Sequence, residues 1–110
     1  MTTLRTRCKG QPLGTRALTR RARILTGLDT TMLATPWRWL TVSAVAHDAG
    51  CSPGVFYQYF PDIEAAVVAL AGQQGDGIPE HVLRVLRLIA DEGYPGARDA
   101  LLALAARTTT

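Results

Sequence analysis

The sequence predicts an all-α fold, and three observations carry that expectation. Apolar residues recur at helical spacing, as in the row Ile24, Leu28, Met32 and again in Val82, Leu83, Val85, Leu86, Leu88 and Ile89. Glycines and prolines cut the chain into helix-sized pieces at Pro36, Gly50, Pro61, Gly72 to Gly77 and Gly93 to Pro95. No segment alternates polar and apolar residues in the period of two that a strand requires.

Taken in order, residues 1–14 mix Thr, Gly, Pro and basic residues without periodicity and predict a flexible basic arm. A first helix is expected from Thr15 to about Thr35, capped by Thr15 or Thr19. Pro36 stops it, because proline lacks a backbone donor and disfavours helix in the residue before it. Trp37 and Trp39 follow, and two indoles this close are expected to lie over the core of a small helical bundle. Thr41 stands where an N-cap belongs, ahead of Val42, Val45, Ala46 and Ala49, the inward stripe of a short second helix that Gly50 ends.

Ser52 caps a third helix with Pro53 at its first position, where a fixed φ and a missing donor do no harm. Phe56 and Phe60, four apart, face the core, and Pro61 closes the helix. Asp62 and Glu64 suit the start of a fourth helix that runs to about Ala71. Beyond the glycine-rich break, Pro79 to Asp91 forms a strongly amphipathic helix and about Gly96 to Arg107 a last one. Its stripe of Val82, Leu86 and Ile89 suits either intramolecular core or a dimer seam.

At 110 residues the chain has the length of one small domain. No run approaches the roughly 18 uninterrupted apolar residues of a membrane span, and the basic N-terminus lacks the apolar core of a secretory signal. A soluble, cytoplasmic chain is expected. Cys8 and Cys51 lie too far apart in sequence to suggest a disulfide framework. Charge is unevenly placed: residues 1–60 hold eight basic against two acidic side chains, a net of +6, while residues 61–110 hold four against seven, a net of −3. A basic end on an acidic body suits a partner made of phosphates.

Two short helices joined by a glycine-containing turn satisfy the geometry for setting the second one into a groove about 12 Å wide. The residues sharpen this. Thr41-Val42-Ser43-Ala44-Val45-Ala46, followed by Ala49-Gly50-Cys51-Ser52-Pro53-Gly54-Val55-Phe56-Tyr57-Gln58-Tyr59-Phe60, closely resembles the DNA-binding domain of TetR/AcrR-type transcriptional regulators. The shared pattern is a small residue, glycine, an apolar residue, Ser-Pro-Gly, two apolar or variable positions, tyrosine, and an aromatic pair ending in phenylalanine. With the first and fourth helices the resemblance covers about residues 18–71. It implies a three-helix, homeodomain-like helix-turn-helix domain at 15–71, a connecting fourth helix, and a short helical C-terminal segment at 78–107. Its implied function is a DNA-binding transcriptional regulator, a repressor, that reads the major groove of double-stranded DNA with the helix at about 52–60.

The resemblance implies a role for each matching residue, and each role has its own chemistry. Thr41 caps the second helix where backbone donors, with Val42 beside it, meet a phosphate and fix register without reading sequence. Ser43 faces the groove with a short side chain suited to a water-mediated contact. Ser52, Pro53, Gly54 and Val55 lie at the groove-facing start of the recognition helix, where glycine allows close approach and a valine methyl meets thymine methyls. Gln58 is the base reader, its amide able to donate to and accept from adenine together. Tyr57 and Tyr59 offer phenolic hydroxyls to phosphates, the Tyr59 ring also suiting a place against the first helix with only its hydroxyl outside, and Arg16, Arg20 and Arg21 flank the duplex from the first helix.

This chain departs from the family at Ile63, where a phosphate-binding lysine is common, and at Pro36, where the family turns on glycine. Asp29 and Thr31 stand at usually apolar positions, which implies a looser core around the first helix or a tilt of that helix. Only about 35 residues follow the matched region, too few to enclose an effector pocket of the ~300 Å³ such ligands need. No nucleophile elbow, phosphate loop or metalloprotease pattern is present, and the turn at Gly50 separates His47 from Cys51, so neither enzyme activity nor a cofactor is expected. Two assemblies fit: a homodimer on a pseudo-palindrome, or a heterodimer with a full-length relative. The alternative reading is a truncated regulator that serves as a protein-interaction module through residues 78–107, or a fragment without function.

Overall fold

The computed structural model describes residues 10–74 and 77–108, with the side chains of residues 19–73 and 77–106. These residues form six α-helices and no strand: α1 Gly10–Ala34, α2 Val42–Ala49, α3 Pro53–Tyr59, α4 Ile63–Gln74, α5 Glu80–Asp91 and α6 Ala97–Thr108. The expected helices all appear, most within a residue of their predicted ends. The predicted arm at 1–14 falls partly outside the described residues, but its last five positions belong to α1, which starts at Gly10 rather than Thr15. Pro12 is compatible with that start, because the first four amides of a helix have no intrahelical acceptor to lose. Thr15 and Thr19 are therefore interior positions, not caps.

The long helix α1 is the element on which the others are assembled, packing against α2, α4 and α5, while α6 closes on α4 and α5. Ile24, Leu25, Leu28 and Met32 of α1 join Val45, Phe56, Val67, Leu70, Val82, Leu86 and Ile89 in one continuous buried cluster. The Val82, Leu86, Ile89 stripe is thus intramolecular core, and Leu88 and Leu102 are the large apolar residues that α5 and α6 leave exposed. No described helix is long and apolar enough to cross a membrane.

Around α1 the core is better matched than the sequence led one to expect. Thr31 is buried, its hydroxyl 2.7 Å from the Gly27 carbonyl oxygen and 2.5 Å from Asp48 Oδ2, so its single proton is shared between an intrahelical acceptor and a carboxylate on α2. Asp29 meets His81 Nε2 of α5 through Oδ1. The two polar positions that implied a loose or tilted helix therefore serve as side-chain links from α1 to α2 and to α5. A buried hydroxyl is tolerated when it finds such a partner.

Two further contacts hold the connections. Asp62 Oδ1 accepts from the Ala65 N–H at 2.7 Å, capping α4, and from the Tyr94 hydroxyl at 2.9 Å, which ties the α5–α6 connection to the start of α4. Partial burial, that hydrogen bond to Asp62, and the charges of Asp62 and Glu64 together push the Tyr94 phenol up from 10.0 to about 12. Between α1 and α2, Trp37–Trp39 form one 3-10 turn. At three residues per turn, side chains two apart diverge by roughly 120°. Trp37 accordingly packs on the core, whereas Trp39 is 75% exposed, so the expectation of two core indoles holds for the first alone.

Candidate nucleic-acid interface

The segment from Thr41 to Phe60 is organised by backbone chemistry that its residue types dictate. Thr41 and Leu40 are extended, and the Thr41 hydroxyl oxygen accepts from the Ala44 N–H at 3.1 Å, which starts α2. At the other end Gly50 takes a left-handed φ of 74°, the region in which a side chain costs energy. The Gly50 N–H donates to the His47 carbonyl at 3.1 Å and the Cys51 N–H to the Ala46 carbonyl at 2.9 Å, the paired bonds that close a helix on a glycine. Ser52 then repeats the role of Thr41, its oxygen accepting from the Val55 N–H at 3.2 Å, with Pro53 opening α3.

Both capping hydroxyls are exposed, and each spends only a lone pair on its helix. A hydroxyl also carries a proton to donate. Thr41 and Ser52 can therefore hold their helices and donate to an outside oxygen at once. The Val42 and Ser43 amides precede the first α2 hydrogen bond, from Val45 N–H to the Thr41 carbonyl, and belong to the set of donors a helix start leaves open.

Across α3 the apolar and polar faces separate cleanly. Phe56 is fully buried with Phe60, ring centroids 5.8 Å apart. Ser52, Pro53, Gly54, Tyr57 and Gln58 are exposed, with Tyr57 edge-on to Phe56. Ser43 is exposed as well, on α2. Val42, Val55 and Tyr59 are half-buried and pack against the core, in keeping with the inward stripe expected at Val42, so each offers an outside partner only part of its side chain.

The basic residues divide by position. Arg20 is exposed and lines an open cleft of about 240 Å³ with Arg23, Ile24, Ala49, Gly50, Cys51 and Val55. Arg21 lies over the Phe60 ring, 5.3 Å from its centroid, and so supports the end of α3. The Arg16 side chain lies outside the described residues. Sequence reasoning missed Arg23, which the spacing of three from Arg20 puts on the same helix face, and it missed Arg38 and Trp39, exposed just before Thr41. Between residues 30 and 61 Asp48 is the one carboxylate, and the Thr31 hydroxyl engages it. Among the described residues no ion pair holds Arg20, Arg23 or Arg38, and no three His, Cys, Asp or Glu side chains gather as a metal site would need.

Capped hydroxyls, open amides, an amide side chain and unpaired guanidinium groups can together bind an extended polyanion; they contain no nucleophile and base in contact. No family model, curated protein or solved structure matches this chain.

Proposed function

We propose that this chain is a DNA-binding transcriptional regulator, a repressor resembling the TetR/AcrR type, in which α2 and α3 form a helix-turn-helix and α3 reads the major groove. The observation that carries the reading is the pair of exposed hydroxyl caps, Thr41 and Ser52, on either side of the glycine turn, with Gln58 exposed on α3 and Asp48 the one carboxylate between residues 30 and 61. In this reading Thr41 and the first amides of α2 grip a phosphate and set the register. Gly54 lets the backbone approach the bases, Gln58 pairs with an adenine edge, and the hydroxyls of Tyr57 and Tyr59 donate to phosphates. Arg20, with Arg23 beside it, supplies charge from the flank. Repression follows from occupancy of an operator in the cytoplasm, and two copies on a pseudo-palindrome would double the contact.

The test is a titration of labelled duplexes of random and selected sequence, read by anisotropy at several salt concentrations. The reading expects affinity to fall steeply as salt rises. Gln58→Ala is expected to cost about 1 to 3 kcal/mol on the selected sequence and little on the random one. Binding that ignores salt, or a Gln58→Ala chain with its sequence preference intact, overturns it.

A further inference from the structure

The geometry points to Arg38 and Trp39 as a second contact with the duplex, the indole lying against the sugar–phosphate backbone just outside the groove and the guanidinium pairing with the phosphate beside it. This rests on the reading of α2 and α3 as a DNA-binding unit and extends it to residues outside both helices.

Four observations converge on that stretch. Trp39 is the most exposed large apolar side chain of the described residues, with three quarters of its surface left open among them. Its backbone is fixed in a turn, because the Trp39 N–H donates to the Pro36 carbonyl at 2.9 Å and the Leu40 N–H to the Trp37 carbonyl at 3.1 Å, and Trp37 of the same turn packs on the core. Arg38 is exposed and no described carboxylate pairs with it. Finally, Leu40 and Thr41 are extended, with ψ of 133° and 155°. Two extended residues span at most about 7 Å, and successive phosphates of one strand advance about 3.4 Å along the duplex axis. A phosphate held at the Thr41 cap therefore has its neighbours within reach of Arg38 and the indole.

A protein partner would also cover an exposed indole. The surroundings favour the polyanion: the segment from residue 30 to 61 is free of carboxylates except Asp48, which is already engaged, and a planar aromatic beside a guanidinium suits sugars and phosphates. Sequence-independent contact of this kind adds affinity without adding base discrimination.

The experiment uses the full chain and a mixed-sequence duplex labelled for anisotropy, with tryptophan emission recorded in the same titration. Trp39→Phe leaves Trp37 as the only indole, so the difference between wild type and that variant isolates Trp39. The expected results are that Trp39 emission changes in step with duplex binding and that Trp39→Ala binds roughly tenfold more weakly, the size of a modest interface anchor. Trp39→Phe should recover part of that loss, and Arg38→Ala should reduce the salt slope by about one. The exposed position keeps folding unaffected, and an unchanged helical circular dichroism spectrum verifies this for each variant.

Duplex binding with Trp39 emission unchanged and Trp39→Ala at full affinity overturns this inference while leaving the α2–α3 reading intact. No duplex binding by either signal overturns both. A shift of Trp39 emission with protein concentration alone, without DNA, assigns the indole to a contact between protein chains and also overturns it.

Discussion

Gly27 of α1 approaches Ala49 of α2 so closely that a Cβ at Gly27 would stand 2.7 Å from both the Ala49 Cβ and its backbone nitrogen. Real atoms do not tolerate that separation, and the nearest neighbours are a methyl group and backbone, not the end of a flexible chain. Only glycine allows α1 and α2 to cross here. Gly27→Ala should therefore destabilise the fold despite alanine's better helix propensity, by about 1 to 3 kcal/mol. Thermal denaturation followed by circular dichroism measures this; an unchanged or raised melting temperature contradicts the crossing.

The shared proton of Thr31 gives a second prediction. Thr31→Val keeps the shape of the side chain and removes its hydroxyl, so the link to Asp48 is lost. The expected cost is about 1.5 to 3 kcal/mol, the range of a hydrogen bond to a charged group. In a double-mutant cycle with Asp48→Ala the two losses should fail to add. Additive losses would mean that the two side chains are not coupled in solution.

Alkaline stability should report on Tyr94. Its phenol is pushed above its ordinary value of 10.0 to about 12, chiefly by burial and then by its bond to Asp62, so the folded state favours the neutral form. A group whose pKa is raised on folding adds stability fully below its unfolded pKa and loses it as pH climbs through the folded one. That contribution is therefore present up to about pH 10 and disappears between pH 10 and about 12. Wild type should lose more stability than Tyr94→Phe across this window in denaturant titrations. Parallel losses in the two proteins would contradict the assignment.

The capping residues separate stability from binding. Thr41→Ala and Ser52→Ala should each cost about 1 kcal/mol of stability, because each removes a side-chain acceptor from a helix start. Under the proposed function, Thr41→Ala should also weaken duplex binding, and Thr41→Ser, which retains the hydroxyl, should preserve both properties. A loss of affinity equal in the alanine and serine variants would show that the hydroxyl does not touch the phosphate.

What was legible in the sequence was whatever short-range chemistry decides. The ends of α2 and α3 follow from Thr41, Gly50, Ser52 and Pro53, each acting on backbone groups within a few residues. The polarity of α3 follows from the four-residue spacing of Phe56 and Phe60 in the same way. The contacts that escaped are long-range or depend on the sense of a turn. Asp29 and His81 are 52 residues apart, and nothing local to either reports the other. Trp37 and Trp39 look alike in sequence, and only the pitch of a 3-10 turn sends one inward and the other out. Composition misread residues 10–14, because glycine and proline weigh against a helix interior but not against its first turn.

The single core that runs from α2 and α3 through α1 and α4 into α5 and α6 sets a limit on dissection. A chain cut after Gln74 would keep every residue of the candidate interface, yet it would strip Val82, Leu86 and Ile89 from the cluster shared with Leu28, Val67 and Leu70. The candidate interface shares its foundation with α5 and α6. Its helices rest on a core that α5 and α6 complete, so Gln58 is presented by the assembled six-helix body.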